Sequence, residues 1–599
     1  MFTTRPEITG TFGVVTSTHW LASSVCMAML ERGGNAFDAC VAGGFMLHVV
    51  EPNLVGPAGE VPGIFYSART KKIEVLCGQG TTPGGATLDH YRSEGLSMIP
   101  GNGLLAAVVP GAFDAWMILL RDHGTMRLRE VLEPAIYYAQ TGHPLLPRIS
   151  NVIANMKDFF QTYWPSSAQT YLPGGAVPEG GKLFCNPVLA QTWTRLLAEA
   201  ESAGSDREAQ IEKARKVFYQ GFVAQAIDRF ASQTEVMDES GTPHKGVICG
   251  DDMARWSASY ETPLQYQYGN MTVSKTGPWS QGPTFLQVLA LLKHTDISSL
   301  EADDPRFVHV LVEAMKLAFA DREAYYGDTH FVDVPISALL SDDYNRARSR
   351  LIGDRAFNQL SPGVIPGYEA QVSRVVASLE RLSPQTALDT PVSAMDLANR
   401  AVSARRGDTT HIDVIDRWGN MITVTPSGGW LQSSPVIPEL GFGLNTRAQM
   451  FWLEEGLPGT LAPNKRPRTT LSPTFLLKDG APYMVFGTPG GDQQEQWQLI
   501  LFLRHVHQGL NLQEAIDMPM FHTQHFPSSF YPRARKPGNI TIESSVGSAM
   551  MDDLRSRGHQ IEESEPWSIG RLTAASRDTD GLLRAAASPR LMQAYAVGR

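Results

Sequence analysis

Cysteine is scarce in this chain: five residues in 599 (Cys26, Cys40, Cys77, Cys185 and Cys249), with no CxxC pair among them. That usage supports neither a disulfide framework nor a thiolate zinc site, and reduced, mostly buried thiols are expected. Long apolar runs are also missing. No stretch approaches 18 uninterrupted apolar residues, so no membrane span is expected. The first residues, MFTTRPEITGTFGVVTSTHW, lack a basic start followed by an apolar run, so no signal peptide is expected and the cytoplasm is the default location. Positive charge is the minority, 51 Lys and Arg against 61 Asp and Glu, and the formal charge of −10 argues against a nucleic-acid partner. There is no internal repeat. The GGD at 490–492 is no phosphate loop, because no lysine and serine follow it in the required spacing. His522 and His525 have no carboxylate company, so neither a metal nor an organic cofactor is expected.

What is present reads as a folded enzyme. Hydrophobic residues make up 43% and charged residues 19%, on a chain long enough for a full core and more than one domain. Ser23 to Glu31 reads as a helix stopped at Gly33–Gly34; Asn35 then opens a second apolar helix, Ala36 to Val50. IFYSA and Ile73–Leu76 read as strands, Gly111 to about Ala224 as mainly helical, and Phe160–Gly181 as a long surface excursion. Phe307 to Tyr326 has the spacing of a long packed helix. The stretch from about Gly363 to Gly407 reads as a flexible connector, where chain processing is tolerated. THIDVIDRWGNMITVT follows, alternating on both sides of a glycine-asparagine turn, which predicts two antiparallel strands. Further strands are expected at Ser472–Leu477 and Tyr483–Phe486, then a helix from Trp497 to His505.

The segment GDTTHIDVIDRWGNMITVT (Gly407–Thr425) resembles the start of the small subunit in the gamma-glutamyltranspeptidase family, where a Thr-Thr-His triplet opens a strand. Other blocks resemble the same family in the same order: RGGNAFDACVAGGFMLHVVEPN, LREVLEPAIYYAQTG, EAMKLAFADREAYYGD, PNKRPRTTLSPTFLLKDG, GTPGGD, GLNLQEAIDMPMFH and AASPR. The resemblance implies an α+β fold, a four-layer αββα sandwich of the N-terminal-nucleophile hydrolase type. It also implies autocleavage between Asp408 and Thr409, giving a large subunit (1–408) and a small subunit (409–599) that form the fold jointly as a heterodimer; whether two heterodimers associate is left open. Thr409 is then the nucleophile. A threonine hydroxyl is weak at neutral pH, but the α-amine of an N-terminal threonine has a reference pKa near ~8 and sits on the same residue as a base. Gly490–Gly491 resemble the family's oxyanion glycine pair, and Ser427 stands where the family has a second threonine near the nucleophile's amine.

The chain leaves the family's pattern around the substrate. The arginine that holds a glutamyl α-carboxylate falls on Gln79, and the aspartate that holds its α-ammonium falls on Met450. An amide cannot replace a guanidinium's bidentate pairing. The family's asparagine falls on Gly429, its glutamine on Arg447, and its serine pair on Thr469–Thr470. Arg447 is a candidate for a carboxylate of the acyl group, with a structural ion pair as the other reading. Trp430, Met450 and Trp452 are candidates for an apolar acyl pocket or for packing, and PNKRPR reads as a short basic loop. The expected activity is hydrolysis or acyl transfer from a small-molecule amide. Gamma-glutamyl transfer or glutathione hydrolysis stays open, as does a catalytically retired binding protein.

Overall fold

The computed structural model describes residues 2–382 and 409–599. Two seven-stranded antiparallel sheets lie face to face. One runs in the order Ile8–Gly10, Leu583–Ala587, Thr573–Arg577, Ala481–Gly487, Thr474–Lys478, Met271–Lys275, Leu264–Tyr268. The other runs Tyr595–Gly598, Gly13–Ser17, Ile412–Asp416, Met421–Val424, Val61–Ser67, Lys72–Gly78, Ser259–Glu261. Each sheet draws strands from both sides of residue 409.

Alternation explains the inner layer. Side chains at every second position of these strands, among them Val14, Ile64, Ile415, Met421, Phe475, Val485 and Ala575, meet between the sheets in one core cluster. Helices cover the outer faces. Trp20–Glu31, Ala36–Val50 and Ala112–His123 share a core with Val414 and Ile422 of the second sheet. Gly282–Leu292, Pro305–Tyr325 and Gln494–Gln508 pack on Val273, Leu476 and Phe486 of the first. The layers are helix, sheet, sheet, helix.

The two most buried helices show why the sequence folds this way. Asn35 closes a capping box, its Oδ1 accepting from the Phe37 and Asp38 amides while Asp38 Oδ2 accepts from the Asn35 N–H. Every residue from Ala36 to Val50 is buried, as its nearly unbroken small and apolar composition requires. Pro305–Tyr325 starts on the Asp304 cap and buries charged Glu313, Lys316, Asp321 and Arg322 along with its apolar positions. A buried charge persists only with partners, and one of these, Arg322, belongs to the site described below.

Three expectations change. Phe160–Gly181 is no loose excursion: it contains the end of the Pro147–Tyr163 helix and the helix Pro165–Tyr171, with Phe160, Trp164 and Tyr171 buried. The supposed connector begins as a helix, Glu369–Arg381, held by buried Val372, Val375 and Leu379; its remainder and Asp408 lie outside the described residues. Lys465, Arg466 and Arg468 do lie in a loop, but their charges are not turned to solvent. All three are buried: Lys465 Nζ donates to the Pro458 and Thr460 carbonyls, Arg466 pairs with Asp328 and Glu261, and Arg468 pairs with Glu323.

Candidate active site

Thr409 sits where the Ile412–Asp416 strand begins, buried to 1% exposure. Its hydroxyl donates to Ser427 Oγ at 3.3 Å. The neighbouring Thr410 is pinned by both its amide and its hydroxyl to the Pro426 carbonyl, at 3.0 and 2.8 Å. The segment that precedes the Ile412–Asp416 strand is thus bonded to the one that follows Met421–Val424. The strand Met421–Val424 ends before Thr425 and Ser427. Ser427 instead forms a bridge with Glu60, exchanging backbone hydrogen bonds of 2.9 and 3.1 Å.

His411 anchors this end of the strand. A carboxylate only accepts, so His411 Nε2 donates to Asp413 Oδ1 (2.9 Å) and Nδ1 accepts from the Thr425 hydroxyl (3.0 Å). Asp413 Oδ2 accepts further from Thr16 of the same sheet and Thr573 of the facing one, at 2.7 and 2.8 Å. The carboxylate thus ties the two sheets together two turns of the pleat away from Thr409. The His411 ring leans on Gly487, where a Cβ would lie 2.1 Å from Cε1. That contact brings the loop following Ala481–Gly487 beside the start of the Thr409 strand.

The loop carries Gly490 and Gly491, at φ 131° and 56°, conformations that need glycine. They precede the Gln494–Gln508 helix, whose N-terminus is a favourable place for negative charge. Among the described residues, neither glycine N–H meets an acceptor. Residues that sequence reading missed hold the loop. Gln281 Nε2 donates to the carbonyls of Gly491 (3.0 Å) and Thr470 (2.9 Å), while its Oε1 accepts from Arg322 at 2.9 Å. Arg322 also bonds Asp492 at 2.5 Å, and Asp492 accepts from the Ser529 amide and hydroxyl. The signal for Arg322 was its place among the charges set between apolar positions of the Pro305–Tyr325 helix.

Thr469 and Thr470 divide their roles. The Thr469 hydroxyl accepts from the Leu471 amide at 3.3 Å, whereas the Thr470 hydroxyl is buried without a partner. Arg447 and Met450 share the 3-10 turn Arg447–Met450, which the Gln449 side chain locks by bonds to Gly101, Thr446 and the Tyr531 amide. Met450 packs with Trp430 and Phe530. Trp452 is elsewhere, its ring 4.2 Å from the Arg533 guanidinium carbon, so Phe530 takes the place assigned to it. Arg447 is 1% exposed and forms an ion pair through Nε with Glu60. Its two terminal nitrogens nevertheless have no partner, and they lie against the rings of Trp430 and Phe530.

Gln79 stands apart. It lines a cleft with Cys77, Glu261, Asp328 and Arg466, and no hydrogen bond among the described residues links it to Thr409, Arg447 or the glycine pair. A second cleft, about 420 Å³, reaches Gly491, Asp492 and Phe530 and is lined towards solvent by Lys536 and Glu562. His522 and His525 share no ligand: His525 accepts from the Gly538 amide, while His522 packs edge-on to Trp497. His309, Glu313 and His559 do gather, but Lys316 already pairs with Glu313 at 2.5 Å and the imidazoles bond each other.

The family model for gamma-glutamyltranspeptidase matches residues 22–598. The chain belongs to that family. It is 30% identical over 590 residues to the glutathione hydrolase-like YwrD proenzyme of Bacillus subtilis, covering 98% of both chains. It is 28% identical to the oxamate amidohydrolase proenzyme of Klebsiella pneumoniae, covering 97% of each. The solved structure of LmbA2991HD is 53% identical, with a TM-score of 0.92 and full coverage of both chains. Cephalosporin acylase from Bacillus halodurans shares the fold, with a TM-score of 0.82 at 24% identity. Membership makes this chain an enzyme of the N-terminal-nucleophile hydrolase class, related to amidohydrolases and acylases. Among the described residues, no helix is long and apolar enough to cross a membrane.

Proposed function

We propose that the chain is a proenzyme that cleaves itself between Asp408 and Thr409 and then hydrolyses a small-molecule amide through Thr409. The observation that supports it is the Thr409 hydroxyl on Ser427 at the start of a strand whose His411 packs against Gly487, the residue that leads into the Gly490–Gly491 loop. Thr409 Oγ attacks the amide carbonyl while the α-amine released by cleavage takes its proton. The Gly490 and Gly491 amides stabilise the oxyanion, a contribution of about 3 kcal/mol for each such donor. The ammonium returns the proton to the leaving amine. Water then attacks the acyl-threonine and frees the acid.

The products of processing, 1–408 and 409–599, stay together because each sheet contains strands of both. A heterodimer in the cytoplasm is the form we propose. Arg447 is the acyl anchor in this reading: it offers two unpaired nitrogens beside an apolar wall of Trp430, Met450 and Phe530. Loss of the family's charged residues at Gln79 and Met450 directs selectivity away from the zwitterionic glutamyl group. Purified protein should therefore give two bands on a denaturing gel, the smaller beginning TTHIDV, whereas Thr409→Ala stays full length. A fully active wild type that remains one intact chain would refute the mechanism.

A further inference from the structure

Arg447 and Glu60 are an unusual buried pair. One Glu60 oxygen meets Arg447 Nε, but its other oxygen and both terminal nitrogens of Arg447 are buried without partners. Two groups that could form a bidentate pair instead meet through one atom each, leaving donors and an acceptor unsatisfied, which is costly unless function uses them. The pair also lies at the nucleophile. Glu60 bridges Ser427 through its backbone, and its carboxylate covers Gly428, where a Cβ would come within 2.6 Å of Oε2. Ser427 in turn accepts from the Thr409 hydroxyl. The wall around the guanidinium is aromatic and thioether, able to pack an acyl chain but not to neutralise a carboxylate.

We propose that Glu60 is a resident counter-ion that a carboxylate on the acyl group displaces from Arg447, with Glu60 taking up a proton from water as it is released. The substrate class is thereby a short amide whose acyl group carries a carboxylate, and its binding consumes one proton. This rests on the reading of Arg447 as acyl anchor. Burial pushes the Glu60 carboxyl up to about 7, and Arg447 is the one charged group acting on it among the described residues. Without that partner a fully buried carboxylate is strongly disfavoured. The sign follows: below about pH 7 the proton is already in place, and above it the affinity for the anionic acyl group falls by up to tenfold per pH unit.

The test uses the processed enzyme with p-nitroanilides of oxalic, malonic, succinic and glutaric half-acids and of neutral acyl groups of matching length. The KM ratio, anionic over neutral, is measured from pH 6 to 9. The Thr409 amine titrates in the same range but acts on both substrates, so the ratio cancels it. In the wild type the best anionic substrate should be preferred and the ratio should rise above pH 7. In Glu60→Gln the rise should vanish and the ratio at pH 8.5 should fall at least about fivefold. Arg447→Met should bring the preference to near one, with self-processing as the control for folding. A preferred anionic substrate whose KM ratio is flat with pH, or rises equally in Glu60→Gln, would overturn the displacement of Glu60 while sparing Arg447. No anionic preference at any pH would overturn both, and absence of processing and of all turnover would instead defeat the amidohydrolase reading.

Discussion

The Thr409 hydroxyl lies 3.3 Å from the Ser427 hydroxyl, both buried at the point where the Thr409 strand begins. Ser427 accepts from the hydroxyl of the proposed nucleophile, and its backbone is bridged to Glu60. Losing one neutral hydrogen bond costs about 1 kcal/mol, so Ser427→Ala should lower kcat by about fivefold to tenfold with little change in melting temperature. Ser427→Thr, which keeps the hydroxyl, should restore most of the rate. Steady-state kinetics on a p-nitroanilide decide; an unchanged kcat in Ser427→Ala would mean that the contact has no bearing on attack.

Gly490 cannot carry a side chain. Its φ is 131°, and an added Cβ would lie 2.2 Å from the Trp497 ring. Gly490→Ala must move the loop, and with it the two unpaired amides. Loss of an oxyanion donor costs a factor of about 100 to 1,000 in kcat, which is the expected defect. The proposed self-processing would pass through a similar tetrahedral intermediate, so the variant should also accumulate full-length chain. Wild-type turnover from Gly490→Ala would remove these glycines from the mechanism.

Much of this was legible in the sequence, for reasons that differ from place to place. The Thr409 strand, the hairpin after it and the glycine loop were readable because alternation and Gly-Gly are local signals. The helix Ala36–Val50 was readable because Asn35 caps it. The partners of the site were not: Asp413 acts through Thr573, 160 residues away, and Glu60 pairs with Arg447 across 387. Such pairs depend on how sheets stack, which periodicity does not encode.

Gln281 is expected to be a positioning residue for the oxyanion loop. Its amide joins the Gly491 and Thr470 carbonyls and hands its oxygen to Arg322. Gln281→Leu removes these bonds while preserving bulk, so kcat should fall about tenfold, equivalent to roughly 1.4 kcal/mol, with KM within about twofold. The split matters: a merely structural role would lower the melting temperature and the active fraction, but a titrated active-site count would then show normal kcat per site.

Acid stability offers a measurement independent of catalysis, and His48 is the residue to use. It is buried at 2% exposure inside the Ala36–Val50 helix, and neither ring nitrogen has a hydrogen-bond partner. Burial pulls its pKa down from 6.5 to about 3. A histidine depressed in this way is neutral when folded but protonates when unfolded, so the unfolded state binds more protons below pH 6.5. Stability contributed by the neutral ring is complete above 6.5 and is lost as pH falls towards 3, by about 1.4 kcal/mol per pH unit. Glu60 and Glu495, both pushed up to about 7, act in the opposite direction between their ordinary value and 7, so the wild-type curve alone is not diagnostic. The difference between two proteins is. His48→Leu removes one titrating group of similar volume with no hydrogen bond to break, and its denaturation free energy between pH 6 and 4.5 should fall less steeply than the wild type's by about 1.4 kcal/mol per unit. Parallel curves would mean that His48 reaches water and protonates without unfolding.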